Sequence, residues 1–163
     1  MKLRILFFSL LLTIIASQSF AQKFSKLDEI PLNENTDYKK AEKVVLECDK
    51  YLTSTPLNNN DSKRNAAEKF INKWMSGTPD YTFNIDYSLA QIVGNNSHLL
   101  GIYLAYYSKY AIENEGKADD DELMRRTLTS FIDYCKKPAN KVEQTDILKK
   151  FIEQQRDSRF QEL

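Results

Sequence analysis

The stretch Ser97–Asn114, SHLLGIYLAYYSKYAIEN, decides the fold. Between Leu99 and Ile112 apolar or aromatic residues fall at nearly every position around a 3.6-residue period. A helix of that kind is buried on most of its sides. We therefore expect a central post around which other helices pack, with tyrosine hydroxyls reaching outward to polar partners or water.

Outward from the post the pattern is amphipathic. Upstream, a helix is expected from Thr36-Asp37 to about Thr53, its stripe Tyr38, Ala41, Val44, Val45, Cys48 and Leu52. Pro56 and Asn58-Asn59-Asn60 break it, and Asp61 or Asn60 caps a second helix to about Ser76, with Ala67, Phe70, Ile71, Trp74 and Met75 inward. Gly77 is read there as a left-handed stop. Tyr81, Phe83 and Ile85 alternate with polar residues too briefly for a sheet, so 78–85 is expected as an ordered loop crossing the core. A short helix over 86–93 follows, ended by Gly94. Downstream, Asp119–Glu122 open a helix to about Lys136 that turns Leu123, Met124, Leu128, Phe131, Ile132 and Cys135 inward. A last helix from Gln144 or Thr145 carries Ile147, Leu148, Phe151 and Ile152 and fades into a charged tail.

The expectation is thus an all-α single domain of five to six antiparallel helices, either an irregular bundle or a short αα-hairpin array of tetratricopeptide-like (TPR-like) form. The divisions are residues 22–35, a polar lead-in segment; 36–155, the helical domain; and 156–163, a charged tail. Residues 1–21 have the pattern of a cleavable export signal: Lys2 and Arg4, the apolar run Ile5–Ala16, and Ser19-Phe20-Ala21 as a small-x-small cleavage site. The run is shorter than the ~20 residues that span a bilayer. An exported product beginning at Gln22, periplasmic or secreted and not inserted in a membrane after cleavage, is expected.

Composition narrows function mainly by exclusion. The 163-residue chain holds 23 basic and 23 acidic residues, and loss of Lys2 and Arg4 leaves it slightly acidic. Its basic residues are scattered among acidic ones, so no basic stripe marks it for nucleic acid. Glycine-rich phosphate loops, Gly-x-Ser-x-Gly, His-Glu-x-x-His and Cys-x-x-Cys do not occur. His98, the one histidine, has no neighbouring metal-ligand set and reads as a surface or capping residue. The run Asp119–Glu122 lacks the spacing of a calcium loop and is explained by helix capping. No metal and no cofactor is expected. Cys48 and Cys135, the two cysteines, are expected to pair across a long loop in an oxidising compartment; the alternative is two buried thiols. Both lie on apolar faces, where a catalytic thiolate is disfavoured.

Tyr103, Tyr106, Tyr107 and Tyr110, with Tyr81 from the loop, are the candidate binding residues, because tyrosine offers flat apolar area with a polar rim. Packing explains an aromatic stripe at helical spacing equally well. The leading functional expectation is a non-enzymatic module of the cell envelope that binds a protein or peptide. A small-molecule or glycan binder built on the tyrosine-rich helix comes second, and a hydrolase third.

Two stretches, Lys26–Leu32 (KLDEIPL) and Lys73–Phe83 (KWMSGTPDYTF), carry a resemblance. Together they resemble a group of small secreted proteins of Gram-negative bacteria, uncharacterised as to activity. The resemblance implies a helical exported protein and supplies no site residues.

Overall fold

The computed structural model describes residues 24–85, 87–94 and 96–161; the expected leader, 1–21, lies outside the described residues. Six α-helices follow in order: α1 (Asn35–Ser54), α2 (Ser62–Gly77), α3 (Tyr87–Val93), α4 (Ser97–Glu113), α5 (Asp120–Lys136) and α6 (Asp146–Gln161). Two single 3₁₀ turns, Leu27–Glu29 and Pro138–Asn140, precede α1 and follow α5, and the described residues hold no strand.

Short polar side chains start these helices by accepting the N–H groups that a first turn leaves unpaired. Asp61 takes those of Lys63 and Arg64 for α2, Asn96 those of His98 and Leu99 for α4, and Asp119 that of Glu122 for α5. Thr145 does the same for Leu148 in α6. At α1 the first-turn Asp37 reaches back to the N–H groups of Asn33 and Glu34.

The all-helical bundle is built around α4, as its composition implies. Helices α1, α2 and α5 pack directly on it, α3 abuts it, and α6 rests on α3. Leu99, Ile102, Tyr103, Ala105, Tyr107 and Ala111 of α4 are all buried. Of the expected stripes, Ala41, Val45, Cys48 and Leu52 of α1 and Ala67, Phe70, Ile71 and Trp74 of α2 are buried, with Tyr38, Val44 and Met75 partly buried against them. Each large apolar side chain withdrawn from water contributes about 1.5–3 kcal/mol, so the post and the helices around it dominate stability.

Several details differ from expectation. The lead-in segment is polar at its surface, yet Phe24, Leu27 and Leu32 are buried against the core. Gly77 is not a left-handed stop: it is the last residue of α2, and a Cβ there would stand 2.1 Å from the Tyr38 hydroxyl. The glycine leaves room for the tip of the Tyr38 ring, and the Trp74 ring donates Nε1–H to the Tyr38 carbonyl at 3.0 Å. Helix α6 does not fade near Gln154 but continues to Gln161. Its Ile147, expected inward, is 55% exposed, because Leu148 one residue on takes the buried position. Ile85 likewise faces solvent, while Tyr81 and Phe83 fold onto the core as the loop reading required.

Candidate functional site

At one end of the bundle lies an open cleft of about 660 Å³. Its walls are Tyr51 and Thr55 at the end of α1, Pro56–Asn59 in the connection, the cap residues Asp61 and Asn96, and Lys141 and Glu143 beyond α5. Three amides, two acids and one lysine make this surface polar. Two connections are tied together across it, since Leu57 N–H donates to the Asn140 carbonyl at 2.9 Å. Tyr51 donates to Asp61 at 2.6 Å. Burial would raise the Asp61 carboxyl, but that bond and the N–H groups of Arg64 and Lys63 outweigh it and hold Asp61 below the ordinary carboxylate value. Burial, with the bond to Asp61, pushes the Tyr51 hydroxyl up to about 12.

Behind the wall sits Arg64, with no exposed surface. Its Nη2 lies 3.0–3.2 Å from four oxygens: the carbonyls of Leu52, Thr55 and Pro56, and Thr55 Oγ1. These are acceptors that the end of α1 leaves unpaired, and a buried cation suits a helix C-terminus. The Tyr134 hydroxyl also donates to the Thr55 carbonyl, at 2.7 Å. Arg64 Nη1 stands 3.6 Å from Glu68 Oε1, and Glu68 in turn holds His98 Nδ1 at 2.8 Å. The Glu68 carboxyl is raised chiefly by burial, against the opposing pull of His98 and Arg64. Gly101 makes room for it: a Cβ at that position would stand 2.6 Å from Glu68 Cγ.

The sequence-predicted tyrosines do not form one groove. Tyr103 and Tyr107 are core residues, 2% and 0% exposed, set edge-on to each other and to Phe131 and Phe83 respectively. Tyr107 also ties down the crossing loop through the Asn84 N–H. Tyr81 packs on Trp74 and Phe83 and donates to Glu42 at 2.7 Å; burial and that bond raise its hydroxyl. Tyr106 and Tyr110 are half-buried and stacked at 6.3 Å on another flank, with the Arg126 guanidinium 4.5 Å from the Tyr110 ring. The helical spacing is as read, but a helix packed on several sides sends its rings in several directions.

The expected disulfide is absent. Cys48 and Cys135 are separate buried thiols, on helices that each pack on α4 and not extensively on one another. Burial pushes the Cys135 thiol up to about 12, so it remains protonated. No group of three or more His, Cys, Asp or Glu among the described residues is placed to hold a metal.

Sequence reasoning missed Arg64, Glu68 and Asp49. Asp49 is buried in the face of α1 that packs on α4, with Oδ1 lacking any hydrogen bond, and desolvation raises its carboxyl to about 7. The available signal was charge on an apolar stripe: Asp49 adjoins Cys48, and Arg64 stands three residues before Ala67. No protein-family model matches this chain, and no match was found among curated proteins or solved structures.

Proposed function

We propose that the chain is an exported, non-enzymatic helical module that binds an extended segment of another protein in the polar cleft. The observation that carries this reading is the shape of the cleft: it is open, and it runs across the ends of α1, α2 and α4 to the connection beyond α5. The amides of Asn58, Asn59 and Asn96 line it, and an amide side chain can donate to and accept from a peptide backbone at once. Export, to the periplasm or beyond, rests on the leader sequence and on the resemblance to small secreted proteins. A non-enzymatic role is favoured because the sequence lacks the catalytic motifs named above and both thiols are buried.

A small polar ligand such as a glycan is the second reading, favoured by a volume inside the range of about 300–1,000 Å³ usual for ligand sites and by the Tyr51 ring in the wall. Affinity capture from a cell envelope, using the native protein beside an Asn58→Arg/Asn59→Arg variant of equal melting temperature, tests the first reading. One stoichiometric partner held by the native protein and lost with the variant supports it. Equal capture by both removes the cleft from the interaction, and a glycan that stabilises only the native protein transfers the site to the second reading.

A further inference from the structure

The chain Arg64–Glu68–His98 has a construction that helix packing alone does not require. A buried arginine normally places all its donors, yet here Nη2 is crowded by four oxygens while Nε and Nη1 carry no hydrogen bond among the described residues. Glu68 is the carboxylate beside them, and the Tyr134 hydroxyl, also near Arg64, is committed to the Thr55 carbonyl. Glu68 leans instead toward His98, both its oxygens lying within 3.1 Å of Nδ1, and leaves Nη1 at 3.6 Å. The carboxylate thus stands between two claimants, and which one holds it depends on the charge of the imidazole. A charged imidazolium retains Glu68; a neutral ring holds it less well and releases it toward the unpaired donors of Arg64. Gly101 gives the carboxylate space for that movement, in mid-helix where glycine costs about 1 kcal/mol relative to alanine. Arg64, drawn toward Glu68, must then share its hold on Thr55 and Pro56, which form the cleft wall.

We infer that Arg64, Glu68 and His98 form a proton-responsive tether that positions the Thr55–Pro56 wall of the cleft, so that the site has two arrangements selected by the charge on His98. The significance of those arrangements rests on the cleft being the binding site, but the tether itself is observable in the unliganded protein. Histidine is the side chain whose charge changes between pH 5 and 8. The titratable and charged groups around the tether are Glu68 and Arg64 from α2, Tyr51 from α1, Asp61 from the α2 cap, and Tyr134 and Cys135 from α5. The Asp49 carboxyl, elsewhere on α1 beside Lys109 and Glu113, is raised by burial to about 7, so its contribution must be separated.

The separating experiment is an NMR titration of the whole protein from pH 5 to 8.5. It follows the His98 ring proton and the backbone amides of Thr55, Leu57 and Asn58. The tether requires those amides to move with the midpoint of the ring. In His98→Gln the component sharing that midpoint must vanish, and whatever remains belongs to the raised carboxyls of Glu68 and Asp49. In Glu68→Gln the ring must still titrate while the amides cease to follow it. Wall amides that ignore the ring in the native protein overturn the inference without touching the proposed function, and so do amides that still follow it in Glu68→Gln. Loss of partner binding in Asn58→Arg/Asn59→Arg concerns the proposed function alone.

Discussion

The two ends of α2 are held by opposite kinds of chemistry. At its C-terminal end Trp74 is sealed between Tyr38, Tyr81 and Phe83, and the ring pairs Phe83–Tyr107 and Tyr103–Phe131 continue the contact into α4 and α5. At its N-terminal end, about three turns away, Arg64 and Glu68 take the equivalent inward positions and hold carbonyl oxygens and an imidazole. One end is stabilised by area and shape, which fix a single packing. The other is stabilised by charge, whose arrangement changes with proton activity. The cleft lies at the second end, where a binding surface gains most from polar groups held in place.

The largest effect that sharpens this contrast is expected at the aromatic end. Trp74→Ala removes a side chain with no exposed surface and leaves its aromatic neighbours facing a void. The expected loss is about 4 kcal/mol in denaturant unfolding. A loss below about 2 kcal/mol would mean that Tyr81 and Phe83 fall into the space and that this end is less rigid than its packing implies.

Asp49, buried on α1, shows what charge does where its Oδ1 has been given no hydrogen-bond partner. Its carboxyl is raised from 3.8 to about 7 by desolvation, with Glu113 adding to the rise and Lys109 opposing it. The folded state therefore binds the proton more tightly than the unfolded state, so stability is full below about pH 4 and declines as pH rises toward 7. Asp49→Asn cannot ionise. It is expected to match the native protein near pH 4 and exceed it by about 3 kcal/mol at pH 8. Equal stability of the two across that range would place a compensating cation at Asp49 and remove the distinction from the tethered Arg64.

How much of this was legible in the sequence follows the same division. The aromatic end was readable because Phe70, Ile71 and Trp74 recur at helical spacing, and burial of apolar area depends on little else. The helix order and the Asp61 and Asp119 caps were readable for the same local reasons. The polar end was not, because Arg64 and Glu68 look like an ordinary solvent-facing pair four residues apart, and only the approach of α1 and α4 buries them. Tyr103 and Tyr107 likewise share a helix in sequence, but one meets Phe131 of α5 and the other Phe83 of the crossing loop once these are in place. The two cysteines sit on buried stripes as expected, yet which stripes meet is a property of topology that spacing does not encode.

Gly101→Ala tests the polar end directly. The added methyl meets Glu68, a long side chain that can swing aside, so the cost is mainly the pairing that Glu68 gives up with His98 and Arg64. A loss of about 2 kcal/mol is expected. In a Glu68→Ala background the three atoms nearest the added methyl are gone, and the same substitution should stabilise by up to about 1 kcal/mol through helix propensity. That reversal of sign, read from four melting curves, would locate the cost in Glu68. The same sign in both backgrounds would mean that the helix backbone, not the carboxylate, sets the need for glycine.

The smallest effect completes the comparison, because it removes a polar atom from the end that is held by shape. Tyr107→Phe keeps a ring with no exposed surface, its edge contacts with Phe83 and Tyr103, and its place on α4. It deletes only the hydroxyl, which accepts from the Asn84 N–H at 3.2 Å and donates to the Asn84 carbonyl at 3.5 Å. Two neutral hydrogen bonds at a partly buried loop, one of them long, contribute about 1 kcal/mol together. The variant should therefore lose about that much, with the Asn84 amide exchanging faster with solvent while the amides of α2 keep their protection. If instead the loss approached that of Trp74→Ala, the loop crossing the core would be suspended from this one hydroxyl. The aromatic end would then depend on polar geometry as the cleft end does, and the contrast between the two would be one of residue type and not of physics.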